Sequence, residues 1–355
     1  MKTVCVSTYC EWTSYGSIMQ AIAFKKILLD LGFQSYIIRD VPAPVAQKSF
    51  SFVLKRNPKL LLKELLDLRY NKLKEILYKN SVNFINENVD LKYYNDYKAL
   101  EKCLPKADYY IAGSDQIWHP ALCKQAFFLD FLPAEVKRLS YAASMGSTNI
   151  PAENEKKFSD MVTKFDAVSV REWEMEEIVS KYTGKTIHRH IDPTFLVDAD
   201  FWRTLSAQYT IKKPYILVYA LYWDSCYNKE LKALHKKTGY DIVALCPSGA
   251  SKVWANKKII DAHPGQFLYL IDNAEAVISS SFHGVALSMN FNKKFVAVLN
   301  PKLPSRLNTL LGIFDIKPLG ISDVMDFDLS SYEEINKKIE AEKQRSIQYL
   351  KEVFV

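Results

Sequence analysis

Residues 277–290 combine an anion-binding pattern with a histidine that could transfer a proton. The segment consists of a short apolar strand, a turn of three successive serines followed by Phe282, His283 and Gly284, and then an apolar helix. The start of a helix offers unpaired N–H groups and the positive end of the helix dipole, and both favour a bound anion. His283 at such a start could hold an anionic ligand and pass a proton near neutral pH. Serine hydroxyls also satisfy these N–H groups, so the segment equally fits an N-cap beside a histidine that only packs.

Polar residues also follow other apolar segments along the chain. These runs are residues 14–16, 113–118, 144–146, 169–172 and 192–194. In open α/β sheets, ligands bind outside the carboxyl ends of the strands. Two such sheets that face each other would place these runs around one shared cleft.

The elements that must position these runs alternate between apolar strands and amphipathic helices, which predicts an α/β fold with parallel sheets. The first unit comprises a strand at residues 4–7, a helix at 18–31 that ends at Gly32, and a strand at 35–38. The pattern restarts after Pro214 with another apolar strand. The predicted divisions are an N-terminal domain at 1–200 with a basic helical insertion near 45–100, a C-terminal domain at 201–330, and a helix at 331–355 that packs back on the first domain.

The composition is that of a soluble globular protein with apolar material for two cores. The chain has 355 residues, of which 48% are hydrophobic and 25% are charged, and its formal net charge is +7. Lysines and leucines concentrate in residues 55–80, which predicts an amphipathic helix pair with a basic face. That face is either a solvated surface or a patch near anionic lipid headgroups or an anionic lipid-linked substrate. No recognised nucleic-acid-binding motif accompanies the charge, so we expect no nucleic-acid partner.

The six cysteines are scattered and none forms a C-x-x-C pair, so we expect neither a zinc site nor a redox motif. The chain enters its first strand at once, and it shows neither a signal peptide nor an apolar run long enough to span a bilayer. We therefore expect free thiols in a reducing cytoplasm. The basic segment leaves open a peripheral position at the cytoplasmic face of the membrane.

The order and spacing of four runs resemble the polysaccharide pyruvyl transferase family. These are residues 113–118, 141–146, 169–172 and 279–284, within a resemblance that extends from about Val4 to about Gly312. The resemblance implies two Rossmann-like domains that face each other across a cleft, similar to GT-B glycosyltransferases, with the acceptor on the N-terminal side and the donor on the C-terminal side. It further implies that pyruvate passes from phosphoenolpyruvate to two hydroxyls of one sugar, forming a ketal in a cell-surface or capsular polysaccharide or its precursor. No metal or organic cofactor is expected.

The donor contacts follow from the charge of phosphoenolpyruvate, which carries a phosphate and a carboxylate. An arginine fork matches either anion with two hydrogen bonds, and Arg171 is the predicted clamp, unless it forms a surface ion pair with Glu172 or Glu174. His283 is the predicted catalytic residue, which donates a proton to the methylene carbon or stabilises the departing phosphate. The remaining predicted donor contacts are Ser280, Ser281, the Gly284 N–H and Arg306.

The acceptor contacts are predicted at the strand ends of the first domain. Asp115 could accept a proton from the attacking hydroxyl while Trp118 stacks on the sugar; alternatively, Asp115 caps a helix and Trp118 belongs to the core. Gly16 would let the backbone approach a ligand closely. The predicted acceptor contacts are Tyr15, Gly16, Trp118 and His119, and the acceptor itself is a sugar or a lipid-linked oligosaccharide.

Two positions depart from the family pattern. Ser14 stands where many members have asparagine, and Ser281 stands where some have arginine, so acceptor and donor contacts could differ here. One alternative function is a GT-B-type glycosyltransferase that uses a nucleotide sugar, with Glu275 on the ribose, although this residue precedes the strand end. The other alternative is a non-catalytic, glycan-binding member of the fold.

Overall fold

The computed structural model describes residues 1–41, 68–247, 252–301 and 305–354, with only the backbone described at 68–71. Within these ranges the chain forms two five-stranded parallel sheets and a small two-stranded sheet. Residues 42–67, which include half of the predicted basic helix pair, lie outside the described ranges. The described part of the predicted helix pair, residues 68–80, belongs to one helix, Leu68–Asn88.

The first sheet is built from the N-terminal half of the chain, in the order β3-β2-β1-β4-β5. Its strands are β1 (Thr3–Ser7), β2 (Gln34–Arg39), β3 (Leu91–Tyr93), β4 (Tyr109–Ala112) and β5 (Leu139–Ser140). Cys5 in the central strand pairs with Tyr36 on one side and Tyr110 on the other. Parallel bridges from Leu139 to Ala167 and from Ala143 to Val170 extend this sheet toward the strand pair β6 (Ser169–Val170) and β7 (His188–Arg189).

The second sheet repeats this topology in the C-terminal half, in the order β10-β9-β8-β11-β12. Its strands are β8 (Tyr215–Tyr219), β9 (Asp241–Leu245), β10 (Lys257–Ile259), β11 (Ala276–Ser279) and β12 (Lys294–Ala297). Every residue of β8 and β11 is buried, as expected for central parallel strands that are covered on both faces. In each sheet the third, second, first, fourth and fifth strands of the unit lie side by side, which is a Rossmann-like order.

The helices connect the parallel strands and cover the sheets. They are α1 (Tyr15–Asp30), α2 (Leu68–Asn88), α3 (Tyr97–Lys102), α4 (Ala152–Val162), α5 (Trp173–Thr183), α6 (Ala199–Thr204), α7 (Asn228–Thr238), α8 (Pro264–Asp272), α9 (Phe282–Asn290), α10 (Ser305–Ile313) and α11 (Tyr332–Val353). The helix predicted at residues 18–31 is confirmed but begins at Tyr15, because the Ser14 hydroxyl accepts a hydrogen bond from the Ser17 N–H and caps the helix.

The α1 helix lies inside the molecule and joins the two halves. Its residues from Tyr15 to Phe24 are all buried, and one continuous hydrophobic core includes side chains of α1 together with side chains of both large sheets. The last helix, α11, also spans the halves. The Tyr332 hydroxyl donates to the Lys293 carbonyl near the second sheet, whereas the Tyr349 hydroxyl donates to the Ser140 carbonyl of β5. None of the described helices has the length and apolar character needed to cross a bilayer.

Candidate functional site

The two large sheets direct the ends of their central strands at one cleft. In the first sheet the strand order reverses between β1 and β4, and in the second it reverses between β8 and β11. Residues that follow these strands, among them Tyr9, Asp115, Leu221 and Ser281, line a cavity of about 370 Å³. Ligands of open α/β sheets bind at such reversal points, so two of these points share one site here.

About half of the residues that the sequence predicted for the site line this cavity. They are Gly16, Asp115, His119, Ser281, His283 and Arg306. The sequence analysis did not single out the other side chains that line it, namely Tyr9, Glu11, Thr13, Ser17, Gln116, Leu122, Tyr219, Leu221 and Phe282, and Ser14 was noted only for its departure from the family pattern.

His283 lies at the start of α9 and faces the cleft, as its position in the sequence predicts. The Ser281 hydroxyl caps this helix by accepting a hydrogen bond from the Gly284 N–H, at 3.4 Å. The Gly284 N–H therefore contributes to the helix cap in this structure, and its part in a phosphate cradle stays a prediction. The hydroxyl of Ser280 is also engaged within the protein, because it accepts a hydrogen bond from the Tyr222 N–H at 2.9 Å.

Arg171 does not reach the cleft as the predicted clamp. Its guanidinium is 3% exposed and forms ion pairs with Asp192 at 2.6 Å and with Glu172 at 3.1 Å. It also stacks on Phe282, whose ring centroid is 4.2 Å from the guanidinium carbon. Phe282 lines the cleft, so Arg171 lies behind it. The alternative prediction of a surface ion pair is correct in naming Glu172 as a partner, but the pair is buried.

Asp192 is the carboxylate that organises this buried cluster. It accepts hydrogen bonds from Arg171, from the Ser114 hydroxyl at 3.0 Å, and from the N–H and hydroxyl of Thr194 at 3.0 and 2.9 Å. Nε2 of His283 lies 3.4 Å from one of its oxygens. Burial opposes the ionisation of Asp192, but His283, then Arg171 and the Thr194 N–H, outweigh it and hold the pKa well below its usual range. The sequence placed Asp192 at a strand end without giving it a role.

Asp115 lines the cleft from a strained backbone position. Its φ is +76°, a left-handed conformation that asparagine and aspartate tolerate better than most residues. Its carbonyl accepts from the Ile117 and Ser144 N–H groups, and its carboxylate accepts from the Gln116 N–H at 2.8 Å. Backbone strain of this kind concentrates at functional sites. The carboxylate lies in a turn and not at a helix start, so the predicted helix cap is wrong, and Asp115 lines the cleft.

Two aromatic residues that the sequence assigned to the acceptor belong to the core. Trp118 is fully buried, stacks on Phe128 and donates its indole N–H to the Phe127 carbonyl. Tyr15 stacks on Phe267 of α8 and donates its hydroxyl to the Ala262 carbonyl, so it joins the two halves behind the cleft. Neither ring can stack on a bound sugar, and the prediction of acceptor contacts at these positions is wrong.

Tyr9 is the aromatic residue that the sequence analysis missed. It follows β1 by two residues, lines the cleft beside Asp115, and packs edge-on against Phe127. Partial burial, together with the nearby Asp115 carboxylate, raises the pKa of Tyr9 to about 12. The rule that ligands bind after strand ends would have identified it, since Tyr9 follows the first strand as directly as Asp115 follows β4.

Arg306 is the guanidinium that does line the cleft. It stands in the first turn of α10, whose start is held against the other half by a hydrogen bond from Ser305 to Glu174 at 2.8 Å. Burial and the neighbouring Arg171 lower the pKa of Arg306, and among the described residues its side chain forms no hydrogen bond or ion pair. An arginine without a partner at the edge of a cleft is available to an anionic ligand. The described ranges contain no group of three or more His, Cys, Asp or Glu side chains placed to hold a metal ion.

The chain is similar to one protein family and to several solved structures. The model of a family described as polysaccharide pyruvyl transferase matches residues 15–301. No curated protein matches the sequence. Among solved structures, S. aureus MnaA in a co-structure with UDP superimposes with a TM-score of 0.56 and 11% identity, over 95% of this chain and 91% of that chain. The UDP-GlcNAc 2-epimerase of Neisseria meningitidis bound to UDP-GlcNAc gives a TM-score of 0.54 and 10% identity, over 98% and 94%. At these identities the likeness concerns the fold alone, and it confirms the predicted GT-B-like pair of Rossmann-like units.

Proposed function

Because the chain belongs to the polysaccharide pyruvyl transferase family, we propose that it transfers pyruvate from phosphoenolpyruvate to two hydroxyls of one sugar. The observation that supports this proposal most is the composition of the cleft. Arg306, whose guanidinium forms no hydrogen bond or ion pair with the described residues, lines the same cavity as His283 and Asp115. A guanidinium can bind the anionic donor, a histidine can protonate its methylene carbon, and a carboxylate can accept the proton of the attacking hydroxyl.

On the donor side, we assign the anion contact to Arg306 and to the hydroxyl of Ser281. Phosphoenolpyruvate carries two anionic groups, and a guanidinium can hold either of them with paired hydrogen bonds. Ser281 caps α9, so its hydroxyl lies where the helix dipole favours negative charge. Arg171 lies behind Phe282, where it is paired with Asp192 and Glu172, and it does not contact the cleft.

The chemistry that we propose begins when His283 gives a proton to the methylene carbon of the donor. The central carbon becomes cationic and is attacked by the first sugar hydroxyl, whose proton passes to Asp115. Phosphate then leaves, and the second hydroxyl closes the ketal ring. The proton held by Asp115 departs with phosphate and the proton of the second hydroxyl restores His283, so donor and sugar diol yield the ketal and inorganic phosphate with all atoms balanced.

On the acceptor side, we assign the stacking contact to Tyr9 in place of Trp118. The Tyr9 ring lies next to Asp115, which would place a stacked sugar within reach of the proton acceptor. We propose that the acceptor is a sugar of a cell-surface or capsular polysaccharide or of its lipid-linked precursor. Contact of the basic segment at residues 55–80 with the cytoplasmic face of a membrane belongs to the same proposal.

The alternative of a nucleotide-sugar glycosyltransferase has no specific contact in its favour. Glu275, the carboxylate that the sequence offered for a ribose, is exposed and precedes β11. It therefore lies at the amino end of the strand, whereas the cleft lies at the carboxyl end. A ligand in the cleft would not reach it.

A thermal-shift titration with phosphoenolpyruvate, UDP-sugars and GDP-sugars tests the proposal. We expect phosphoenolpyruvate to raise the melting temperature of the wild type and the Arg306→Ala variant to need at least about tenfold more of it, since a hydrogen bond to a charged group contributes about 1.5–3 kcal/mol. Arg203→Ala, which removes an exposed arginine paired with Asp272, is the matched control. Stabilisation by a nucleotide sugar alone would replace the proposal with the glycosyltransferase, and a response to none of them would favour a non-catalytic member.

A further inference from the structure

We propose that Asp192 is a positioning residue that orients the His283 ring through Nε2, leaving Nδ1 as the nitrogen that exchanges the proton in the cleft. This inference rests on the proposed function, in which His283 is the proton donor. It assigns a role to a carboxylate that does not line the cleft, and it gives Arg171 a role other than the predicted anion clamp.

The position of the Asp192 carboxylate is fixed on both oxygens. One oxygen accepts both the N–H and the hydroxyl of Thr194, and the other accepts the Ser114 hydroxyl and the Arg171 guanidinium. Its side chain is fully buried. Four hydrogen-bond donors in a site without solvent fix the orientation of the Asp192 carboxylate. The His283 imidazole must therefore orient itself relative to this fixed carboxylate.

The imidazole of His283 needs an acceptor on the side where Asp192 lies. Nε2 is buried and has no hydrogen-bond partner among the described residues, which is a costly state for a polar atom. The Asp192 oxygen that accepts from Arg171 lies 3.4 Å from it. Hydrogen bonds of catalytic groups are often long in unliganded structures and shorten when the substrate binds.

We infer that the opposite ring nitrogen, Nδ1, is on the cleft side, because it does not share the complete burial of Nε2. Gly16 lines the cavity, and Nδ1 of His283 is the ring atom nearest to the position of a Cβ on that glycine. If Nε2 holds its proton toward Asp192, a second proton on Nδ1 is the one that can be transferred. After this transfer the ring is neutral and Nε2–H still points at Asp192, so the ring need not turn during the reaction. A buried carboxylate sets the tautomer of a catalytic histidine in the same way in hydrolases with a Ser-His-Asp triad.

Arg171 keeps Asp192 in the ionised form that this role requires. The buried cluster contains the guanidinium of Arg171 and the carboxylates of Glu172 and Asp192, all at most 3% exposed. A lone buried carboxylate would take up a proton, whereas one paired with a guanidinium stays charged. The Ser144 hydroxyl, at 2.7 Å, further holds Glu172 in place. Arg171 thus acts on His283 through Asp192 and not on the donor.

The direct test is the tautomer of His283, read from the ¹⁵N chemical shifts of its ring nitrogens in the full-length protein. The resonances are assigned by their loss in His283→Asn. We expect the wild type to carry the neutral-ring proton on Nε2 and Asp192→Asn to lose this preference. A wild-type ring protonated on Nδ1, or the same tautomer in both proteins, would overturn the inference. Even if Asp192→Asn does not fold, a wild-type ring protonated on Nδ1 overturns the inference.

A kinetic test separates positioning from a structural role. Phosphate release from phosphoenolpyruvate is measured with a panel of p-nitrophenyl hexosides as acceptors. We expect Asp192→Asn to lower kcat by at least about 100-fold with little change in the KM for phosphoenolpyruvate. Its effect should vanish in the His283→Asn background, because two residues of one unit are not additive. Additive losses would indicate a purely structural role. If no acceptor supports turnover, the proposed function fails while the tautomer still decides the inference.

Discussion

A Cβ atom on Gly16 would lie only 2.9 Å from the Cβ of His283, and closer still to its ring. Gly16 stands in the first turn of α1 and His283 in the first turn of α9, so the two helix starts meet across the cleft at this point. Real Cβ atoms do not approach each other so closely. The position of the His283 ring therefore requires that residue 16, more than 260 positions earlier in the chain, has no side chain.

The Gly16→Ala variant should lose activity through His283. The added methyl group must push α1 and α9 apart, which we expect to lower the free energy of unfolding by about 1–3 kcal/mol. Phosphate release should fall strongly, while the far-UV circular dichroism spectrum is retained. Gly320→Ala is the matched control, since its Cβ would meet only the flexible carboxylate of Asp323. Full activity in Gly16→Ala would show that the ring position is not critical.

Asp115 can be tested apart from its backbone conformation. Asparagine tolerates the left-handed region and can still accept from the Gln116 N–H, so Asp115→Asn should keep the melting temperature of the wild type. It cannot take a proton from a hydroxyl, and we expect phosphate release to fall about 100-fold or more. Asp115→Ala should in addition lose about 1 kcal/mol of stability from backbone strain. An Asp115→Asn protein with wild-type turnover would remove this residue from the mechanism.

We assign to Tyr9 the stacking role that the sequence suggested for Trp118. Tyr9→Leu should raise the KM for the sugar acceptor about fivefold, in line with the loss of about 1 kcal/mol of stacking, and should leave phosphoenolpyruvate binding unchanged. Tyr269→Leu removes a tyrosine that does not line the cleft and serves as the control. Trp118→Leu should instead lower the melting temperature, because Trp118 is buried among Phe128 and Phe165. A lowered affinity for phosphoenolpyruvate in Tyr9→Leu would place this ring on the donor side.

His190 should make the fold sensitive to acid. Burial, assisted by the nearby Arg345, lowers the pKa of His190 from 6.5 to about 3. As pH falls, the unfolded chain therefore binds a proton before the folded protein does. The contribution of neutral His190 to the free energy of unfolding is complete above about pH 6.5. It is lost as the pH falls toward 3, by at most about 1.4 kcal/mol per pH unit.

Urea denaturation at pH 7, 6 and 5 checks this expectation. His190→Gln retains a partner for the Ser169 hydroxyl, which lies 2.8 Å from the histidine ring, and it removes the titrating group. The variant should lose less stability between pH 7 and pH 5 than the wild type does. Equal losses in both proteins would mean that other groups govern the acid response.

The elements of the fold could be read from the sequence because their signals are local. Apolar runs predicted β1, β8 and β9 closely, and the serine turn with its glycine predicted the start of α9. The limit appears at β3 and β10, which have three residues each and pair with a neighbouring strand without forming an apolar run. Periodicity over three residues carries too little information to predict a strand.

The amino-acid sequence by itself determined the α/β units, the family and the identity of the polar strand ends, because capping, periodicity and motif order all reside in neighbouring residues. Only the tertiary structure decided which of those polar residues face the cleft. Arg171 and Arg306 have the same side chain, but the first forms an ion pair with Asp192, whereas the second forms no hydrogen bond or ion pair with the described residues. Burial and ion pairing depend on partners that are distant in the chain, and no local pattern records them.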